Sequence, residues 1–305
     1  MSITLATKTM KAIADIMLKD QGASFRVNLG KVLPHIGDAY RGHDDPFRTH
    51  LGASVIGDEC ARKIWYGFHW STKSNFEGRL LRLFNRGHLE EGRFIALLLS
   101  IGCVVYQQDE HGKQFKISDV GGHFGGSGDG VAIDIPDVPA DHACLLEFKT
   151  HNDKSFVKLV KEGVRSAKFE HFVQMQVYMR KMGIAYALYM AVNKNNDDIH
   201  AEIITIDTSI GDQFIDRARN IILGPDIPKR ISESAGWFAC SWCSHKAICH
   251  SKKPPAVNCR TCAFSTPLED GNWHCRVNGT TLEVIPKEKQ LTGCKLYNVA
   301  TVFCK

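Results

Sequence analysis

Hydrophobic and polar positions alternate in recognisably different ways along this chain. Residues 5–20 carry apolar residues at helical spacing and predict an amphipathic helix. The following stretch, with Gly30, Pro34, Gly37, Gly42 and Pro46, reads as loose. Ser54 is placed to cap a helix carrying Cys60, Arg62, Trp65 and Tyr66. Residues 77–100 form a strong helical pattern, with Leu80, Leu81, Leu83, Phe84, Ile95, Leu97 and Leu98 expected on its apolar side. Short strands are expected at 104–108, 115–117, 121–124, 131–135 and 144–150, the last two joined through the turn sequence PDVPAD. A helix over 166–182 should stop at Gly183. Strands at 186–192 and 200–206 flank a polar KNNDD turn, and a helix over 208–223 is closed by Gly224-Pro225. This order predicts an α/β or α+β class, a sheet core with helices packed on it. After Pro254-Pro255 helical periodicity fades and cysteines take over, so a main domain over 1–253, with 1–50 as a helical lead-in, and a cysteine-rich module over 254–305 are expected.

Composition adds boundaries. The 305 residues are 44% hydrophobic and 23% charged, which fits a soluble globular chain able to bury a large core. A formal charge of +5 suits a nucleic-acid partner without requiring one. No secretory-signal pattern is visible, and the longest apolar run, 94–106, is interrupted by Ser100 and Gly102 and is far short of the roughly 20 residues of a membrane span. The expectation is therefore a cytoplasmic protein that does not enter a membrane. In that reducing setting, eleven cysteines point to metal or cluster ligation before disulfides.

The densest chemistry lies in GGSGDGVAIDIPDVPADHACLLEFKT, residues 125–150. Asp129 occupies a glycine-rich turn, while Glu147 and Lys149, two apart in a strand, share one face. A hairpin would bring Asp129 beside them. Carboxylate oxygens of that kind hold Mg²⁺ or Mn²⁺. A lysine alongside supplies a fixed positive charge, so the set suits metal-assisted phosphodiester hydrolysis. Taken singly, an Asp in a Gly turn is an ordinary turn residue, and Glu-x-Lys on a strand is an ordinary solvated face.

Order and spacing add the context. The series Arg86-Gly87-x-x-x-Glu91, Gly-Asp129-Gly, Glu147-Phe-Lys149 and Gln174-x-x-x-Tyr178 resembles the PD-(D/E)XK nuclease superfamily, and within it the RecB-type, CRISPR-associated and viral (phage) exonuclease branches. The strict Pro-Asp pair is absent, since Gly128 precedes Asp129. The resemblance implies Asp129 and Glu147 as ligands of Mg²⁺ or Mn²⁺, Lys149 as the catalytic lysine, and Gln174 and Tyr178 lining the site. Glu91 is the upstream metal ligand it implies, with His88 as the weaker alternative. The activity implied is DNA exonuclease action in recombination, repair or viral DNA processing. An endonuclease of the same fold is the runner-up, and a non-catalytic DNA-binding or scaffold protein the reading from another class. The partners implied are DNA ends, single- or double-stranded, and a recombination or replication protein.

The cysteines fall into two sets. Cys240, Cys243 and Cys249 supply three ligands of a metal site. By resemblance to nucleases in which one cysteine before the core joins three after it, Cys60 is the fourth and the group a [4Fe–4S] cluster. Zinc held by the same three with His245 or His250 is the competing reading. Cys259, Cys262, Cys275 and Cys294 read as a zinc-ribbon-like module, with His274 as an alternative to Cys275 and Cys304 to Cys294. Cys103 and Cys144 lie in apolar contexts and are expected in the core. Basic residues Lys154, Lys158, Lys161, Arg165 and Lys168, together with Arg79, Arg82, Arg86 and Arg93, are candidate phosphate contacts. Trp237 and Trp242 are candidates for stacking on bases or for packing around the cysteines.

Overall fold

The computed structural model of the chain describes residues 3–40, 47–73, 76–279 and 281–303. It is a mixed α/β protein that divides into two compact units. The first comprises Met1–His43, Phe76–Ile117 and Ser127–Asp212, and the second Asp44–Asn75, Ser118–Gly126 and Gln213–Lys305. Pro254, where the sequence suggests a boundary, lies inside the second unit. No helix among the described residues is long and apolar enough to cross a membrane.

The first unit is built on a five-stranded mixed sheet. Its strands, in spatial as well as chain order, are β1 (Val104–Tyr106), β2 (Gly130–Ile133), β3 (Cys144–His151), β4 (Tyr186–Asn193) and β5 (Ile199–Thr205). Only β3 and β4 pair in parallel; the other neighbours are antiparallel. Five of the predicted strands thus become one sheet. The central strands are near-continuous apolar runs because both faces are covered. Leu146 and Phe148 of β3 meet Leu188 and Met190 of β4 and Phe94, Ile95 and Leu98 of the Gly78–Ser100 helix, with the Phe94 and Phe148 rings stacked 5.0 Å apart. The alternate positions of β3 face the opposite way. There Glu147, buried to 1% exposure, is bonded by Gln174 of the Phe169–Met182 helix.

Several local expectations shift. Leu83 and Phe84 are exposed, so only the second half of the Gly78–Ser100 helix forms a core face. The stretch read as loose holds a helix, Ala23–Val32, which packs against the Gly78–Ser100 helix; its weak amphipathic pattern leaves packing, not periodicity, to form it. A second unpredicted helix, Asp153–Ala167, is capped by the Asn152 side chain on the Ser155 amide at 2.9 Å. It breaks at Gly163 (φ 73°), where the Val164 N–H donates to buried Glu202 at 2.9 Å. Asp137 of the expected turn caps the Thr7–Asp20 helix from afar, accepting from the Lys8 and Thr9 amides at 3.0 and 2.7 Å.

In the second unit, the helix expected to be capped by Ser54 runs from Ala61 to Phe68, and Cys60 is its cap: the Cys60 sulfur accepts from the Lys63 N–H at 3.4 Å. Residues 121–123 lie in a turn, so the strand expected over 121–124 begins only at Phe124 and runs to Ser127. The cysteine-rich tail contains a three-stranded antiparallel sheet of Ser265–Pro267, Trp273–Cys275 and Glu283–Val284. This tail shares an aromatic core with residues 49–70. The Arg260 guanidinium stands 3.7 Å from the Trp70 ring centre, 5.0 Å from Trp273 and 5.2 Å from Phe68.

At Gly130 (φ 151°) the backbone of β2 runs so close to its neighbour that a Cβ would stand 2.9 Å from the Tyr106 carbonyl oxygen. Gly130→Ala is expected to destabilise the chain by about 1–3 kcal/mol, read as a lower urea midpoint. An unchanged midpoint would show that this crossing has slack.

Candidate functional site

The site assembles where β2 enters the sheet beside the middle of β3. Asp129 ends the glycine-rich turn, and its Oδ2 accepts the Phe148 N–H of β3 at 2.7 Å. That bond seats a residue of the hairpin's first arm against the backbone between Glu147 and Lys149. Glu147 and Lys149 lie two apart on one face of β3, and the Lys149 ammonium donates to Glu147 Oε1 and, at 3.2 Å, to the Phe148 carbonyl. Gln174 donates to the other Glu147 oxygen, Oε2, at 3.0 Å. Tyr178, one helical turn further on, donates its hydroxyl to the Ser127 carbonyl at 2.9 Å, holding the turn that carries Asp129. The structure thus brings Asp129, Glu147, Lys149 and Gln174 together directly, and Tyr178 through the turn.

Glu91, from the Gly78–Ser100 helix, contributes to the same electrostatic neighbourhood and pairs with His88 Nδ1 at 3.4 Å. The result is a crowd of acids with one lysine among them. Burial, then repulsion from Glu147, pushes Asp129 up to about 8, against the pull of Lys149. Glu147 is raised for the same first reason. Burial pulls Lys149 down, but Glu147, Asp129 and Glu91 outweigh it and its ammonium is held above the usual lysine range. Glu91, by hydrogen bond, raises His88, and Asp129 adds to it. Buried oxygens with too little positive charge are the donor set a hard divalent cation matches.

Sequence reading passed over the neighbours on this face. His151 is two residues beyond Lys149 on β3, and His171 three residues before Gln174 on its helix. Both bond the hydroxyl of Tyr189, the β4 residue in register with Glu147. Periods of two on a strand and three on a helix were the available signal. The basic residues also gain an order: Lys154, Lys158, Lys161 and Arg165 repeat at intervals of four, three and four along the unpredicted helix, opposite its buried Phe156 and Leu159. Arg79, Arg82 and Arg86 are exposed, and Arg86 donates to the Lys194 carbonyl at 3.1 Å. Arg93 is engaged otherwise, bonding Glu90 at 2.9 Å and Asp197 at 2.8 Å.

In the second unit the cysteines gather in two neighbourhoods. Burial first, then the charges of Cys60 and Cys249, disfavour ionisation of Cys240, and the same two thiols bear on Cys243. His245 bonds the Thr72 hydroxyl at 3.0 Å through Nδ1. Cys259, Cys262, Cys275 and Cys294 line one small cavity, where burial, then the other three thiols, push Cys259 up to about 11. His274 does not line that cavity; its Nε2 bonds Asp270 at 2.8 Å. Cys304 lies outside the described residues. Cys103 and Cys144 are buried, as expected. Trp237 and Trp242 are exposed. Among the described residues no three His, Cys, Asp or Glu side chains stand as they would around a bound ion, in either cysteine set or at the carboxylates.

No protein-family model matches this sequence. No curated protein matches it either. Among solved structures, the chain is similar to an alkaline exonuclease from Laribacter hongkongensis, LHK-Exo, at 17% identity and a TM-score of 0.40, over 57% of this chain and 86% of that one. LHK-Exo in complex with dAMP overlaps over the same shares with a TM-score of 0.42 and 17% identity. SSO0001 overlaps over 74% of this chain and 93% of its own, at 14% identity and a TM-score of 0.39. At these values the overlaps are partial, and the chemistry has to come from the site itself.

The raised acid has a measurable consequence. Asp129 takes up its proton near pH 8 when folded and near 3.8 when unfolded. The folded state therefore binds more protons between these values, and stability of the metal-free chain falls as pH rises through this window. Asp129→Asn removes the ionisation. In chelator, urea unfolding should show the variant gaining on the wild type at pH 8 relative to pH 5. Parallel pH slopes would show that Asp129 is not the group responsible.

Proposed function

We propose that this protein is a divalent-metal-dependent deoxyribonuclease with a PD-(D/E)XK core, acting on DNA ends. One observation carries the reading: Asp129, Glu147 and Lys149, far weaker signals apart, meet at one buried point of the sheet with Gln174 bonded to Glu147. The donor set fits Mg²⁺ or Mn²⁺, for which Asp129 and Glu147 are the proposed ligands, with Glu91 or, in second place, His88 beside them. When bound, such a cation supplies Lewis acidity and a water of lowered pKa. The residues do the rest. Phe148 fixes one Asp129 oxygen by its amide, and Gln174 fixes one Glu147 oxygen, so neither carboxylate rotates freely. Lys149 supplies fixed positive charge toward an attacking or departing oxygen. Tyr178 holds the turn on which Asp129 is carried. The stripe of Lys154, Lys158, Lys161 and Arg165, with Arg79, Arg82 and Arg86, is the proposed phosphate track.

The cysteine sets are proposed metal sites of structural role. Cys60, Cys240, Cys243 and Cys249 would hold a [4Fe–4S] cluster, and Cys259, Cys262, Cys275 and Cys294 a zinc ion. The reading rests on the chemistry of the donors, since soft thiolates suit either group. A role in recombination, repair or viral DNA processing, in the cytoplasm and beside a recombination or replication protein, is the setting such an activity fits.

End-labelled linear, nicked and circular DNA with Mg²⁺ or Mn²⁺ tests the activity. Linear DNA should be degraded from its ends; cutting of closed circles would make the enzyme an endonuclease. Asp129→Asn and Glu147→Gln should abolish cleavage, and Lys149→Ala should lower turnover by about 10²–10³. Wild-type rates in all three would remove this site from the chemistry. Separately, anaerobically prepared protein should contain iron and absorb broadly near ~400 nm, and Cys60→Ala should bleach it. Zinc in its place would overturn the cluster assignment.

A further inference from the structure

Beside the acidic centre, four hydrogen bonds run in series through five side chains. Lys168 Nζ stands 2.5 Å from Ser155 Oγ, and Ser155 Oγ 3.3 Å from His151 Nδ1. His151 Nε2 lies 3.0 Å from the Tyr189 hydroxyl, and that hydroxyl 3.0 Å from His171 Nδ1. Among the described residues His171 Nε2 has no partner.

The direction of every bond follows from one end. A lysine ammonium only donates, so the Ser155 oxygen accepts from Lys168 and its own hydrogen is left for His151 Nδ1. A neutral His151 accepting at Nδ1 carries its proton on Nε2 and donates to the Tyr189 oxygen. The Tyr189 hydrogen then goes to His171 Nδ1, which leaves the His171 proton on Nε2. The reverse arrangement strands the Ser155 hydrogen without an acceptor. Both imidazoles are neutral: burial, then Lys168 and Lys149, hold His151 down to about 4, and burial, then Lys149 and His151, hold His171 down to about 2.

The chain ends at the proposed site. Tyr189 is in register with Glu147, His151 shares the face of Lys149, and His171 precedes Gln174 by three residues, so it lies on the same side of the helix. We infer that His171 is a further substrate-contacting residue, whose Nε2–H, fixed in direction by the Lys168–Ser155–His151–Tyr189 series, donates to a non-bridging oxygen of a phosphodiester at the Glu147–Lys149 centre. Being neutral, it adds a donor without repelling Lys149. Lys168, Ser155, His151 and Tyr189 are positioning residues. The inference rests on the nuclease reading for its ligand, and the bond order within the series stands apart from it.

Nitrogen-15 NMR of the full chain at pH 7 reads the series directly. His171 should be neutral with its proton on Nε2, and Tyr189→Phe, Ser155→Ala or Lys168→Met should release it into a tautomer mixture. Lys168→Arg, again a donor only, should restore it. A proton on Nδ1, a cationic ring, or no response to any of the three would overturn the series. Because Tyr189 is buried, the part-exposed Ser155 and Lys168 variants decide if Tyr189→Phe fails to fold. The dinucleotide pTpT with Ca²⁺ then tests the contact without cleavage: the His171 Nε2–H resonance should move on binding, and a resonance that stays put on saturation removes the contact. In cleavage, His171→Phe should lower kcat about 100-fold, with His171→Gln recovering much of it, and Lys168→Met should lower kcat about tenfold with KM little changed. Wild-type kcat in His171→Phe would also overturn the contact. A wild type that binds pTpT and shifts His171 yet cleaves nothing would sink the nuclease reading and leave the contact standing.

Discussion

Several acids and one lysine share a buried point at the middle of the Cys144–His151 strand, and the first unit is arranged around the cost of keeping them there. Ionised carboxylates out of water are tolerated only with hydrogen bonds and compensating charge. The sheet supplies part of this: the Phe148 amide binds Asp129 on the edge of the face that carries Glu147 and Lys149. The Phe169–Met182 helix supplies more, through Gln174 on Glu147 and Tyr178 on the turn before Asp129. The remaining imbalance appears as raised acid groups and a lysine held firmly charged.

The second unit solves a related problem without any acid. Arg260 is buried, and its guanidinium donates to the Phe68 and Thr49 carbonyls at 3.0 and 2.9 Å and to the Gln290 side chain at 3.0 Å. Three aromatic faces surround it. Burial alone pulls this group down to about 9, far from the usual arginine range. Arg260 sits between Cys259 and Cys262 in the chain, so the contacts that fix it also fix the loop bearing two of the four thiols that line the small cavity. Packing around a cation thus orders the cysteines before any metal is considered.

Local geometry made much of this legible from the residues alone. Glu147 and Lys149 share a face because strands have a period of two, and the Gly78–Ser100 and Thr208–Leu223 helices follow from apolar spacing and their terminal signals. The buried Cys103 and Cys144 follow from apolar neighbours. Each of these depends on residues a few positions apart, where the backbone itself sets the distance. Tertiary structure decided the rest. The Ala23–Val32 helix has too weak a stripe to announce itself, and the Asp153–Ala167 helix is interrupted at Gly163. The seating of Asp129 on the Phe148 amide depends on the register of two strands, as does the placing of Tyr189 beside Glu147. His151 and His171, twenty residues apart in sequence, meet through a hydroxyl that neither neighbourhood encodes. Periodicity fixes which way a side chain points along its own element; which side chain it then meets is set by sheet register and helix packing, and those are properties of the whole chain.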